Sequence, residues 1–168
     1  MEIGRVIPPG QDGAFQVGER KPAGSLSDLP VSHRRLLDEA VTATMATVNP
    51  SGTVQLTPVW VGADETHVLL NSARGRLKDR NLRARPQVSL LFIDPTNPYF
   101  WMSIAGEVDE IVDEDDPQRG QEATDSINAM SKLYLGQDEY PLRDQSVQEV
   151  RALYRVKPTK IVLFGDVS

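Results

Sequence analysis

LLNSARGRLKDRNLRARPQVSLLF, residues 69–92, sets five arginines and one lysine between two apolar runs of strand character. The whole chain of 168 residues carries 24 acidic against 18 basic side chains, a formal charge of −6, so this stretch opposes its surroundings. Arg74, Arg76, Lys78, Arg80, Arg83 and Arg85 follow one another at intervals of two or three residues, and on a helix they cannot all share one face. One reading is a solvated helix of alternating charge. The other begins with Asn71 and Ser72 at a strand end, passes Gly75 and reaches Arg76-Leu77-Lys78. An arginine fork, a mobile lysine and the amides of a turn or helix start together form a seat for phosphate. The spacing allows both. The chain has neither GxxxxGK[ST] nor GxGxxG after a strand, so such a seat is not a phosphate-loop or Rossmann site.

The length is that of one domain with a real core. Net acidity argues against broad DNA or RNA binding, which needs clustered cations. Cysteine is absent, which excludes disulfides, thiolate nucleophiles and cysteine-held metals. No stretch approaches bilayer-spanning length and the first residues lack a charged-then-apolar leader pattern, so a cytoplasmic protein without a membrane partner is expected.

Outward from the basic segment, VTATMATV, TVQLTPVWV, THVLLN, QVSLLFI and FWMSIAGEVDEIV are strand candidates, rich in β-branched and aromatic residues. Asn49-Pro50-Ser51-Gly52 and Gly62-Ala63-Asp64-Glu65 suit hairpin turns. RALYRVKPTKIVLFG supplies one or two closing strands. ARGRLKDRNLRARP, with Leu77, Asn81 and Leu82, suits a short helix ended before Pro86. LPVSHRRLLDEA suits another, with Ser32 capping its first turn. DEDDPQRGQEATDSINAMSKLYLG suits a third, with Pro117 in the first turn, Ile127, Met130, Leu133 and Tyr134 as its apolar stripe, and Gly136 as C-cap. Residues 1–29 alternate Gly, Pro and polar residues without a period and read as a flexible arm, with Phe15 and Val17 as anchors. The expectation is a mainly β protein: a barrel of about six antiparallel strands with peripheral helices over residues 30–168.

Pro58, in TPVW, interrupts an apparent strand and implies an edge, a bulge or a backbone diverted toward a ligand. With this feature the runs MATVNPSGTVQLTPVWV, LLNSARGRLKDRNLRARPQVSLLFIDPTNPYFW, SIAGEV and SKLYLG resemble the pyridoxamine-phosphate-oxidase-like split-barrel superfamily, most closely its branch using the deazaflavin coenzyme F-420. The resemblance spans roughly residues 30–165 and is most specific from Asn71 to Leu82. It implies a homodimer of split barrels with cofactor sites at the interface. It assigns the cofactor phosphate to Arg76 and Lys78, Lys78 foremost, with Asn71, Ser72 and Arg74 nearby and Asn81 orienting the loop. It runs the strand from Gln55 to Trp60 beneath the ring, with Thr57, Pro58, Val59 and Trp60 as contacts. It places Asn97, Pro98 and Tyr99, and the helix carrying Lys132 to Tyr134, over the cofactor of the opposite subunit.

The implied function is coenzyme F-420-dependent hydride transfer to an electron-poor small molecule. Alternatives on the same fold are an FMN-dependent oxidase or reductase and a non-catalytic flavin, deazaflavin or haem carrier. Pyridoxamine-phosphate oxidation itself is less expected, because RVKPTKIVLFGDVS lacks that enzyme's substrate-binding arginine and histidine pattern. No residue is named as catalytic acid; Tyr99, Tyr134 and water are the candidates for proton delivery. His33 and His67 lack metal-ligand spacing and read as surface or helix-end residues. Asp113 to Asp116 read as a solvated helix start.

Overall fold

Strict alternation builds the inner strands of the structure, a computed structural model that describes residues 1–7, 16–144 and 146–165. The elements are β1 (Glu2–Ile7), β2 (Gln16–Val17), β3 (Lys21–Pro22), α1 (Val31–Asp38), β4 (Ala43–Val48), β5 (Val54–Val59), β6 (Val61–Ala63), β7 (Val68–Ala73), α2 (Leu77–Ala84), β8 (Gln87–Asp94), β9 (Asn97–Asp113), α3 (Gly120–Leu135) and β10 (Arg151–Phe164). In β8, Val88, Leu90, Phe92 and Asp94 are buried while Gln87, Ser89, Leu91 and Ile93 face out. Facing side chains from β4, β9 and β10, among them Met45, Met102, Ile104, Tyr154, Ile161 and Leu163, complete one core with Leu36 and Leu37 of α1. Each fully buried leucine or isoleucine contributes roughly 1.5–3 kcal/mol.

The sheet runs β2-β1-β10-β9-β8-β4-β5, with β7 pairing both β10 and β6. This is the split β-barrel, and among the described residues it has three α-helices and ten strands rather than about six. Two causes account for the excess. First, TVQLTPVWV is not one strand: β5 pairs with β4 and stops at Val59, and β6 starts at Val61 and pairs with β7. The chain changes wing at Trp60. Pro58 tolerates this because β5 has only β4 as neighbour, so no second strand needs its missing N–H. Second, the segment read as an arm contributes β1 to β3. Glu2 to Arg5 pair in parallel with Lys160 to Leu163, and Val6 pairs with Val17 of β2. β7 occupies the same edge of β10 only over Arg151–Val156, which leaves the rest of that edge to be covered. Phe15 lies outside the described residues.

Helix ends differ from expectation in two places. Ser32 is not a cap: α1 begins one residue earlier, with Pro30 at the N-cap position. Pro117 precedes α3, whose first residue is Gly120. There the helix presses so closely on the end of β9 that a Cβ on Gly120 would stand 2.1 Å from the Glu114 carbonyl oxygen. Gly136, with φ of 71°, ends α3 in the left-handed region as its sequence implies.

Candidate functional site

At the split between β5 and β6 a cavity of about 310 Å³ opens. Pro58, Val59 and Trp60 line it together with the polar group Asn71, Arg76, Lys78 and Arg151 and with Thr42, Ile127, Tyr140 and Leu142. The split creates the space, and the basic segment supplies its charge.

Most of the basic segment is structural. Arg74 pairs bidentately with Asp115, at 2.9 and 2.8 Å, and does not line the cavity. Arg83 bonds Asp79 and Asp113, Arg85 bonds the Val48 carbonyl, and Arg80 bonds the Gly75 carbonyl. That leaves Arg76, 3.6 Å from Glu149, and Lys78, which has no ion pair or hydrogen bond among the described residues. Lys78 is half-buried, and burial first, then Arg76 and Arg151, hold its pKa below the ordinary lysine value. A desolvated cation beside two others and without an acid is a site prepared for an anion.

The loop that presents these groups is built by Asp79. Its carboxylate accepts from the Gly75 N–H at 2.6 Å, from Arg83 at 2.7 Å and from the buried Tyr154 hydroxyl. Burial pushes its pKa up, but these donors outweigh that and hold it below the usual carboxylate range. Gly75, at φ of 86°, makes the turn that a side chain would strain, and no atom lies within 4 Å of where a Cβ would stand. Asn81 anchors the other side of α2, donating to Thr47 Oγ1 at 3.1 Å and Asn49 Oδ1 at 2.9 Å.

The structure thus brings Asn71, Arg76, Lys78, Pro58, Val59 and Trp60 together. Thr57 and Ser72 lie beside them, and the hydroxyl oxygen of each is buried without a partner among the described residues. Arg74 is elsewhere. Asn97, Pro98 and Tyr99 are exposed at the β8–β9 turn and do not line this cavity; Tyr99 is 72% exposed. Tyr134 stacks on Trp60 within the same chain, 5.2 Å between ring centres. Its hydroxyl donates to the Val41 carbonyl at 2.8 Å and accepts from the Val61 N–H at 3.1 Å. Burial raises its pKa, and the hydroxyl pins the first residue of β6.

Sequence reasoning missed Arg151, Glu149 and Tyr140. Arg151 is buried; its Nε donates to Asn71 Oδ1 at 2.9 Å and its guanidinium bonds Glu149 at 2.8 Å and covers the Tyr140 ring at 5.0 Å. Tyr140 in turn meets Trp60 edge-on, and its N–H bonds Asn128 Oδ1 at 2.9 Å. The one local signal was an arginine opening an apolar strand.

Two other readings change and one holds. His33 is fully buried, not a surface residue: it stacks on Phe100 at 4.2 Å, and its Nε2 lies 3.1 Å from the Phe164 carbonyl oxygen. Burial lowers its pKa. His67 is at the surface, 3.1 Å from Asp109. The acidic run is not merely solvated: Asp113, Glu114 and Asp115 pair with Arg83, Arg143 and Arg74. Among the described residues there is no cluster of three or more His, Asp or Glu that could hold a metal, and no helix long and apolar enough to cross a membrane.

The family model described as pyridoxamine 5'-phosphate oxidase matches residues 29–163. Among solved structures, an F-420 reductase is similar at 28% identity and a TM-score of 0.63, over 79% of this chain and 98% of its own. A conserved protein of Mycobacterium tuberculosis is similar at 24% identity and 0.57, over 77% and 80%. HutZ, the haem storage protein of Vibrio cholerae, is similar at 18% and 0.56, over 79% and 92%. The last two, at such identities, speak to fold alone. No curated protein matches the chain.

Proposed function

The chain belongs to the pyridoxamine 5'-phosphate oxidase family, and from that premise we propose that it is a cytoplasmic, homodimeric oxidoreductase whose cavity holds coenzyme F-420, with FMN as the alternative. The observation that carries this is Lys78: half-buried, beside Arg76 and Arg151, and without an acidic partner among the described residues. A phosphate supplies the missing countercharge. The unpartnered hydroxyls of Thr57 and Ser72 offer further polar contacts beside the cavity. The Trp60 and Tyr140 rings and the Pro58-Val59 backbone suit a flat heteroaromatic ring. The preference for the deazaflavin draws on the 28% identity to an F-420 reductase over nearly all of that structure.

When bound, such a ring supplies hydride transfer to or from an electron-poor small molecule. The chain's own residues bind, orient and desolvate. Arg76 and Lys78 fix the phosphate end, while Trp60, held by Tyr134 on one side and Tyr140 on the other, fixes the ring end. Leu142 stands at the mouth, 61% exposed, and gives the substrate side an apolar rim.

Size and surface support the proposed dimer. A cavity of about 310 Å³ is at the low end for small-molecule sites and too small to bury a flavin from both faces. Beside it, the outer face of β4, β5 and β8 exposes Val54, Leu56, Leu91 and Ile93 in adjacent register, a patch suited to a second copy. In that dimer Asn97, Pro98 and Tyr99 cover the partner's cofactor. The haem alternative is less favoured because neither histidine lines the cavity.

The test is parallel fluorescence titration of the purified protein with coenzyme F-420 and FMN, followed by reduction assays on enones and quinones. Tight binding of at least one cofactor with turnover supports the reading; no binding of either refutes it.

A further inference from the structure

Glu149 is the one carboxylate among the described residues that contacts the cavity's cations. Its Oε1 lies 2.8 Å from Arg151 and its Oε2 3.6 Å from Arg76, and its side chain is 6% exposed. It does not line the cofactor cavity. It lines the adjoining cleft with Arg74, Arg76 and Asp144, so it grips the two arginines from behind. Asp144, the other acid in that cleft, is exposed and turned onto Ser146.

This placement has two opposite effects. Glu149 fixes the arginines in position, and it subtracts one charge from the field they project into the cavity. The first effect serves any phosphate-bearing ligand and is kept by a glutamine, whose amide oxygen still accepts from an arginine. The second is a repulsion proportional to the negative charge of the phosphate group seated beside those arginines. It is absent for an uncharged ligand, single for a phosphodiester and double for a fully ionised phosphomonoester.

Building on the assignment of the cavity to a cofactor phosphate, we propose that Glu149 is a selectivity determinant that disfavours phosphomonoesters relative to phosphodiesters. FMN ends in a monoester, whereas coenzyme F-420 carries its phosphate as a diester. One buried carboxylate thereby biases a cavity of general flavin shape toward the deazaflavin.

A series with a constant ring tests this: riboflavin without phosphate, cyclic riboflavin phosphate as a singly charged diester, and FMN as the dianion. Affinities for the wild type and Glu149→Gln are measured by fluorescence at about pH 8, where the monoester is fully ionised. The expected result is an unchanged riboflavin affinity, tightening of the diester by about fivefold, and tightening of FMN by roughly the square of that, about 25-fold. Equal changes for all three ligands, or weakening of the charged ones, overturn the proposal and leave Glu149 a merely structural brace. Glu149→Met, which keeps the stem without charge, must give the same grading and serves where the glutamine variant does not fold. If instead wild-type affinities for riboflavin and FMN are equal and Lys78→Ala changes neither, the phosphate assignment itself has failed.

Discussion

Lys78→Met separates binding from stability, because the two should move in opposite directions. The substitution keeps the length of the stem and removes the ammonium. In the ligand-free protein that ammonium is desolvated next to Arg76 and Arg151, and its pKa is depressed. A lysine whose folded pKa lies below its unfolded value destabilises the fold while charged; the penalty is present below the folded pKa and disappears as pH rises through the unfolded value of about 10.4. At neutral pH the variant should therefore be more stable, by about 0.5–1 kcal/mol after solvent screening. For a chain of this size that is a rise of about 1–4 °C in Tm. With cofactor present the same change removes a charge-assisted hydrogen bond worth about 2 kcal/mol, a loss of roughly thirtyfold in Kd. Calorimetry without ligand and fluorescence titration with it read the two effects. An unchanged Kd, or a Tm lowered by several degrees in the free protein, would refute the assignment of Lys78 as an anion-binding cation.

Three further outcomes are expected. Gly75→Ala meets no atom but strains a left-handed turn, so it should cost about 1–2 kcal/mol in chemical denaturation and weaken cofactor binding by displacing Arg76. Arg143 holds the Glu114 carboxyl at about 2, with help from the Thr124 hydroxyl and the Arg151 N–H against burial. That stabilisation is complete above the unfolded pKa of about 4.3 and fades as pH falls toward the folded value, so Arg143→Ala should lower Tm at neutral pH and flatten its decline between about pH 5 and 3. Leu91→Glu puts a charge in the middle of the exposed sheet face and should give a folded monomer by light scattering with weakened cofactor binding; a persistent dimer would move the interface elsewhere.

Features that depend on neighbours along the chain were legible in the amino-acid order alone. Alternation in QVSLLFI, a proline that implies an edge, a bulge or a diverted backbone, Gly75 before Arg76 and Lys78, and Gly136 after an apolar stripe all act within a few residues, and the structure agrees with each. Only tertiary structure decided which of six similar cations is unspent. Arg74, Arg83 and Arg76 find acids on β9, on the turn after it and before β10, and Arg151 reaches Asn71 from 80 positions away. Likewise the N-terminal residues become a strand because β10 has an edge that β7 leaves uncovered, and Trp60 becomes a break because its flanks pair with different strands. Charge compensation and edge pairing are sums over spatial neighbours, and a linear pattern carries no record of those.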